Sequence, residues 1–267
     1  MAKRTVIHLS DLHIGLRQKE STRTRMIFNK IAKSFPEIPV IITGDLTDSG
    51  VKIQFRKTRE FLDELSSANP ILAVPGNHDY AWKGNWFHAD AWKNWVKYLG
   101  SPLGWGMNEI PWMGVDYEPK GVDGLGVWKD GPYVYFGIDS GDPLDKQISA
   151  RGYISKKLAS ALKESLANYE GKTRIAFLHH HPFTEKFFIK LYGSKGLLDA
   201  LKDNCELLLF GHHHEYGIWW VKKGVPLIVS SHKSTDAISG DCLMIAVIDI
   251  ENAGTPNVSF SHRIEVI

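Results

Sequence analysis

The sequence predicts an α/β fold in which helices flank a β-sheet, with a second sheet formed near the carboxyl terminus. Over the first third of the 267 residues, short apolar runs alternate with longer amphipathic stretches, as strands and helices do in such folds. The alternation resumes near residue 133, and from residue 218 onward only strand-like runs follow. Because no internal repeat or linker separates these parts, we expect one domain over residues 1–267.

The period of the apolar residues predicts each element in turn. Strands are expected where apolar residues cluster in short runs, and helices where they recur every three or four positions. The first part comprises strands at 5–9, 40–43 and 71–74, with helices at 22–35 and 52–65. The second part comprises strands at 133–138, 174–178 and 207–210 with helices at 154–169 and 195–202, then strands at 218–221, 227–229, 243–250 and 258–264.

Residues 80–131 interrupt this alternation. The segment is rich in glycine and holds seven of the nine tryptophans of the chain. We interpret it as an insertion with one helix near residues 86–99 and irregular chain after it. The tryptophans are expected to form a local hydrophobic core, because tryptophan buries a large area per residue. The alternative is a cap or lid whose aromatic faces contact a substrate.

Composition excludes several classes of function. Lysine and arginine number 32 against 30 acidic residues, and no basic run exceeds two residues, so a nucleic-acid polymer is not an expected partner. No apolar run approaches the roughly 20 residues that span a bilayer, so membrane insertion is not expected. Two cysteines, Cys205 and Cys242, cannot form a disulfide framework, and no secretory signal precedes the first strand. These features favour a reduced, cytoplasmic setting and leave the oligomeric state open.

Five apolar runs each end in polar residues of the kinds that bind metal ions. In an open α/β sheet the carboxyl ends of the strands lie along one edge, so such clusters can converge although they are far apart in sequence. Glycine stands within three of them, where a backbone without Cβ can turn sharply. The clusters are HLSDLH (Asp11, His13), IITGDLTD (Asp45, Asp48), AVPGNHD (Asn77, His78, Asp79), AFLHHHP (His179, His180, His181) and LLFGHHH (His212, His213, His214).

The residue types in these clusters indicate a centre of two metal ions. Only oxygen and nitrogen donors occur, without thiolates, which suits Mn²⁺, Fe²⁺, Zn²⁺ or Co²⁺. The donors are too many for one tetrahedral ion, and they suffice for two ions that share a carboxylate and a bridging water. Two divalent ions with two carboxylates and a hydroxide keep a net charge of about +1, which attracts a phosphate anion. Such a pair lowers the pKa of bound water and supplies a nucleophile at neutral pH.

The order D-x-H, G-D-x-x-D, G-N-H-D, H-H-P, G-H-x-H is similar to the signature of the calcineurin-like metallophosphoesterases, and it extends from Asp11 to His214. The resemblance implies a four-layer αββα sandwich of two packed mixed β-sheets flanked by helices. It also implies in-line attack on a P–O ester by a hydroxide that bridges the two ions. The residues that it implies are Asp11, His13 and His214 for one ion, Asn77, His212 and a central histidine for the other, Asp45 as the bridge, and His78 as the acid that protonates the leaving oxygen.

Two assignments within this resemblance have alternatives. The family ligand two residues before proline corresponds to His180, and a shift of one residue gives His179 instead. Asp48 follows the bridging Asp45 by three residues and is a candidate to orient a ligand histidine from outside the metal shell, with a turn cap as the alternative.

The flanking residues favour one branch of the family. No arginine stands in GDLTDSG or VPGNHD, unlike in the protein serine/threonine phosphatases, and the position of the metal-bound tyrosine of purple acid phosphatases is Asp48. The sequence therefore looks like the class III cyclic nucleotide phosphodiesterases and glycerophosphodiesterases, with a small phosphoester as substrate. A phosphomonoesterase or nuclease of the same family, and a phosphate-binding protein without turnover, are the alternatives.

Overall fold

Two large mixed β-sheets form the centre of the structure, a computed structural model that describes residues 4–15, 18–80, 90–103, 105, 112–113, 116–119, 124–141, 150–239 and 242–267. A π-helical turn spans Val96–Gly100, and a 3-10 turn spans Phe187–Ile189. The longer helices and the strands, in chain order, are β1 (Arg4–Leu9), α1 (Gln18–Ser34), β2 (Val40–Thr43), α2 (Lys52–Ser66), β3 (Ile71–Val74), α3 (Ala91–Trp95), β4 (Asp116–Pro119), β5 (Leu125–Asp130), β6 (Tyr133–Ile138), β7 (Gly152–Tyr153), α4 (Lys156–Ala167), β8 (Thr173–Leu178), β9 (Leu191–Tyr192), α5 (Ser194–Leu201), β10 (Leu207–Phe210), β11 (Gly217–Lys222), β12 (Val225–Ser230), β13 (Met244–Glu251) and β14 (Ser259–Val266).

Parallel pairing at the centre of each sheet fixes where the strands end. The five-stranded sheet has the order β14-β13-β1-β2-β3, and its β1, β2 and β3 are parallel to one another. The seven-stranded sheet has the order β11-β12-β10-β8-β6-β5-β4, and its β6, β8, β10 and β12 are parallel. Parallel strands end at the same edge of a sheet, so the loops that follow β1, β2 and β3 are neighbours, as are those that follow β8 and β10.

Alternation along the strands produces four layers. In β1, Val6 packs between the two sheets, whereas Ile7 packs against the side covered by α1 and α2. In the seven-stranded sheet, Phe177 faces the other sheet, and Phe136 faces the side covered by α4 and α5. Successive side chains of a strand point to opposite faces, so each central strand supplies two cores. The predicted sandwich of two mixed sheets flanked by helices is therefore confirmed.

The segment 80–131 differs from its prediction. Instead of irregular chain after a helix, its second half supplies β4 and β5, which extend the seven-stranded sheet. The described tryptophans Trp95 and Trp128 do not share a separate local core: Trp95 is fully buried in the core under the five-stranded sheet, and Trp128 is fully buried between the two sheets. Residues 81–89, which include Trp82 and Trp86, lie outside the described residues. The lid hypothesis concerns these residues and stays a prediction.

The described helices carry no membrane span. None of them is both long and apolar enough to cross a bilayer.

Candidate metal centre

The loops that follow β1, β2, β3, β8 and β10 meet where the two sheets come together. A side chain at Gly44 would collide with His179, since a Cβ there would lie 2.6 Å from the His179 Nδ1. At Gly76 a Cβ would lie 2.4 Å from the Asp45 backbone nitrogen. Gly44 therefore allows the motif loops of the two sheets to approach closely, and Gly76 does the same for the loops that follow β2 and β3.

Asp11, His13 and His214 form what we call the outer group. The Nε2 of His214 lies 3.2 Å from Oδ1 of Asp11 and 3.4 Å from Nε2 of His13. Ligand atoms about 2.1 Å from a common ion are separated by about 3.0–3.5 Å, so these spacings suit one shared cation. The three residues come from loops 201 positions apart, yet their donor atoms face one point.

Asn77, His179 and His212 form what we call the inner group. The Nε2 of His179 lies 3.0 Å from Oδ1 of Asn77 and 3.1 Å from Nδ1 of His212. The His179 side chain is completely buried. Donor atoms from the ends of β3, β8 and β10 thus converge beneath the surface.

Asp45 lies between the two groups. Its Oδ2 is 3.8 Å from Nε2 of His13 in the outer group and 3.4 Å from Nε2 of His179 in the inner group. Its other oxygen, Oδ1, accepts a hydrogen bond of 2.9 Å from the backbone N–H of His78. One carboxylate oxygen is therefore common to both groups, as the shared ligand of a dinuclear site must be.

The hydrogen bonds of His179 show that the inner group fits a cation. Its Nδ1 lies 2.7 Å from the carbonyl oxygen of Thr43, and a carbonyl can only accept, so Nδ1 carries the proton. In the neutral ring, Nε2 then directs a lone pair toward the oxygens of Asn77 and Asp45. Lone pairs facing one another repel unless a positive charge lies among them. Backbone anchoring of the far nitrogen is also how metal-binding histidines are held.

The pKa shifts of the buried groups indicate that a positive charge is favoured at this site. Burial acts to raise the pKa of Asp45, but the positive charge of His179 outweighs it and holds that pKa well below its usual value. Burial likewise acts to lower the pKa of His179, yet Asp45 raises it to about 9, so a positive charge is favoured among these donors; a divalent cation bound there would replace the proton on Nε2 and leave the ring neutral. Burial lowers the pKa of His13 to about 4, and it lowers the pKa of His212 well below the usual value, so both rings are neutral at pH 7. Buried carboxylates beside neutral imidazoles are a ligand set for divalent metals.

The backbone is strained at these positions. Among the described residues, ten that are not glycine have a positive φ. Such conformations persist only where the surrounding structure enforces them, and they concentrate at functional sites. Five of the ten are Asp11 (54°), His13 (46°), Asp45 (51°), His212 (76°) and His214 (56°).

His180 packs beside the inner group, its ring centroid 4.6 Å from that of His212, but its Nδ1 faces another partner. Its Nδ1 lies 2.9 Å from the hydroxyl of Ser140, and that hydroxyl also accepts a hydrogen bond from the His180 backbone N–H. The neighbouring residue His179 makes the contacts with Asn77 and Asp45 instead. The sequence favoured His180 over His179, whereas these contacts favour His179 as the ligand candidate, because adjacent residues at the end of a strand face opposite ways.

The two other candidates lie at the mouth of the site. His78 is placed by its Nδ1, 2.5 Å from the carbonyl oxygen of Asp48, and its Nε2 is 3.9 Å from Oδ2 of Asp45. The Asp48 carboxylate is 54% exposed and lies 3.9 Å from Nδ1 of His13, on the side of that ring away from the outer group. This is too long for a hydrogen bond, so the role predicted for Asp48 in orienting a ligand histidine stays a prediction.

Asp79 has a role that the sequence did not indicate. It is completely buried and accepts hydrogen bonds from the backbone N–H groups of Leu46, Thr47 and Gly76. One carboxylate thus ties the loop after β2 to the loop after β3. Burial raises its pKa to about 6, and the neighbouring Asp45 adds to the effect. The final Asp of G-N-H-D was the signal that could have identified this positioning residue.

Comparison with known proteins identifies the family. The profile of the calcineurin-like phosphoesterases matches residues 4–216. The chain belongs to this family of phosphoester hydrolases.

Individual relatives are more distant. A probable cyclic nucleotide phosphodiesterase of Coxiella burnetii is 23% identical over 226 residues, covering 80% of this chain and 77% of its own length. A second protein with that description, from Synechococcus, is 22% identical over 247 residues, covering 88% and 75%. The crystal structure of a dimetal phosphatase from Danio rerio superposes with a TM-score of 0.64 at 12% identity, over 99% of this chain and 98% of that one. The last likeness shows the fold.

Proposed function

We propose that this protein is a phosphodiesterase that hydrolyses P–O ester bonds with two divalent metal ions. The observation that carries the proposal is the position of Asp45, whose Oδ2 lies between His13 at 3.8 Å and His179 at 3.4 Å. Two groups of oxygen and nitrogen donors therefore share one carboxylate at the bottom of a common site.

The ligands of each ion follow from the two groups. In this proposal Asp11, His13 and His214 hold one ion, and Asn77, His179 and His212 hold the other, with Asp45 bridging. The donor types suit Mn²⁺, Fe²⁺, Zn²⁺ or Co²⁺. When bound, such a pair supplies positive charge for the phosphoryl group and lowers the pKa of water to give a nucleophile at neutral pH.

His78 is the proposed acid for the leaving oxygen. The carbonyl of Asp48 accepts from its Nδ1 at 2.5 Å, which fixes the ring so that Nε2 is directed toward the site. Its side chain is 19% exposed, so the ring can reach both substrate and solvent. Asp48 fixes His78 through its carbonyl, and its carboxylate, 3.9 Å from Nδ1 of His13, would act on that ring through its charge rather than through a hydrogen bond.

Diesters are the proposed substrate class, with a 3′,5′-cyclic nucleotide or a glycerophosphodiester as the specific candidates. The absence of arginine around Gly44 and Gly76 supports this choice, because a dianionic monoester gains more from bidentate guanidinium contacts than a monoanionic diester does. The descriptions of the Coxiella and Synechococcus relatives point the same way. The free thiols of Cys205 and Cys242 accord with a reduced, cytoplasmic setting.

Side-by-side assays test this function. The metal-loaded protein is given bis-p-nitrophenyl phosphate, p-nitrophenyl phosphate, cyclic AMP and single-stranded DNA, with metal content measured on the same samples. We expect two equivalents of metal and a higher kcat/KM on the diester than on the monoester. A higher value on the monoester or on DNA would replace the diesterase by the corresponding alternative. Two bound metals without turnover of any ester would favour a phosphate-binding protein.

A further inference from the structure

The segment 231–234, which follows β12, connects the two loops that carry the outer group. The backbone N–H of Ser231 donates to the carbonyl of Phe210 at 2.9 Å, immediately before Gly211 and His212. Three residues on, the N–H of Ser234 donates to the carbonyl of Ser10 at 3.0 Å, immediately before Asp11. The segment 231–234 therefore spans the gap between the loop of Asp11 and the loop of His212.

The side chains of this segment hold it in place. The Ser234 hydroxyl accepts from the backbone N–H of Ser10 at 3.0 Å, and the Thr235 hydroxyl donates to the carbonyl of Leu12 at 3.2 Å. The guanidinium of Arg23, from α1, donates to the carbonyl of Thr235 at 2.9 Å. A backbone fixed at this many points holds Lys233, which directly precedes Ser234, in a defined position.

Lys233 is a mostly buried cation with a weak partner. Its side chain is only 16% exposed, although lysine is seldom buried without a strong counter-ion. Its Nζ lies 3.4 Å from the carboxylate of Asp236, which is 60% exposed. An ion pair whose carboxylate is this exposed contributes little to stability, so another anion can readily replace Asp236 as the partner of Lys233.

The charge of Lys233 acts on the outer group. The ammonium of Lys233 lies close enough to His13 and His214 to repel positive charge on both rings. The same ammonium therefore influences both histidines of the outer group, as its place between their two loops requires.

We propose that Lys233 binds a nonbridging oxygen of the phosphoryl group, beside the outer group. This inference rests on the function proposed above. A lysine is a single point charge, whereas arginine offers a planar pair of donors. A single ammonium can hold one phosphoryl oxygen of either a monoester or a diester. Asp236 would hold the ammonium until the substrate replaces it.

The test compares four forms of the full chain loaded with metal: wild type, Lys233→Met, Lys233→Arg, and Lys223→Met as a control on an exposed lysine. Kinetics are measured on bis-p-nitrophenyl phosphate, and inorganic phosphate is titrated calorimetrically. Because a charge-assisted hydrogen bond is lost, Lys233→Met should lower kcat/KM about 10- to 100-fold, mainly through KM, and weaken phosphate by a similar factor. Lys233→Arg should recover much of both, and Lys223→Met should leave both within about twofold.

Two further readouts separate the possible failures. The metal content and the melting temperature of Lys233→Met should equal those of the wild type. If either falls, the role of Lys233 is tested instead by phosphate binding to Asp236→Asn. Removing Asp236 frees the ammonium, so phosphate should bind more tightly; unchanged or weaker binding would overturn the role of Lys233. Unaltered KM and phosphate affinity in an intact Lys233→Met would overturn it as well. If the wild type hydrolyses no ester, the proposed function fails, while phosphate affinity still tests the binding role of Lys233.

Discussion

The two ligand groups on either side of Asp45 differ in how strongly the surrounding protein fixes their side chains. In the inner group, His179 is fully buried and the carbonyl of Thr43 fixes its far nitrogen at 2.7 Å. In the outer group, the His214 side chain is 43% exposed, and the nearest carboxylate oxygen to Nδ1 of His13 is that of Asp48 at 3.9 Å. A ligand anchored from behind loses little freedom when it binds metal. We infer that the inner group is the rigid half of the site and the outer group the half that faces substrate.

Asp45→Asn is expected to have the largest effect, because it alone weakens both groups. Activity should fall about 10³-fold or more, since several kcal/mol of charge stabilisation depend on the two ions. Asp11→Asn, which touches the outer group only, should cost less. Steady-state kinetics and metal analysis of both variants measure the difference. Equal losses in the two variants would mean that Asp45 is not shared.

His78→Ala is expected to separate chemistry from metal binding on the outer side, where the His78 ring packs 4.5 Å from that of His13. Both metals should remain, and kcat should fall about 10²- to 10⁴-fold on a diester with an alcohol leaving group. On bis-p-nitrophenyl phosphate the loss should be much smaller, because p-nitrophenolate leaves without a proton. The same loss on both substrates would indicate that His78 stabilises charge on the phosphoryl group instead.

His179→Ala and His180→Ala form a matched pair that tests which histidine belongs to the inner group. His179→Ala should remove about one equivalent of metal and most activity, since Asn77 and His212 then lack their common partner. His180→Ala should keep two equivalents and lose less activity, because its ring bonds to Ser140. Elemental analysis of the purified variants decides. The reverse pattern would restore the assignment favoured by the sequence motif.

Stepwise removal of metal with EDTA is expected to show which of the two groups holds its ion more tightly. As EDTA is increased, the metal content of the wild type should fall from two equivalents to one before it reaches zero, because the exposed outer group releases its ion first. His214→Ala should already start near one equivalent. Full removal of metal should abolish hydrolysis. Loss of both ions in a single step would show that the inner and outer groups hold their ions equally tightly.

The polar cluster at each strand end could be predicted from the sequence because each is a local pattern. A run of apolar residues followed by Gly and Asp or His fixes both the strand and the position of the ligand candidates at its end, as at Asp45 and His212. The choice between His179 and His180 could not be predicted. A shift of one residue turns a side chain to the other face, and the contacts that favour His179 are made with Asn77 and Asp45, on the other sheet.

Strand β5 was missed for a similar reason. Gly124 and Gly126 weaken its apolar pattern, and glycine in a strand resembles a turn signal. The Trp128 ring covers the space where a side chain at Gly126 would lie, since a Cβ there would be 2.2 Å from its Cη2. Its other neighbours include Phe177, about fifty positions later in the chain, with ring centroids 6.1 Å apart. Contacts of that range decide the strand, and no local pattern contains them.

The positive φ angles at Asp11, His13, Asp45, His212 and His214 also bear on how this protein would respond to selection for heat resistance. A left-handed conformation costs up to about 1–2 kcal/mol at a residue with a Cβ, and glycine removes that cost. Libraries screened only for melting temperature, in the absence of metal, should therefore enrich glycine at these positions. Each such gain would delete a ligand candidate, so thermal stability and activity are set against each other within the same few residues.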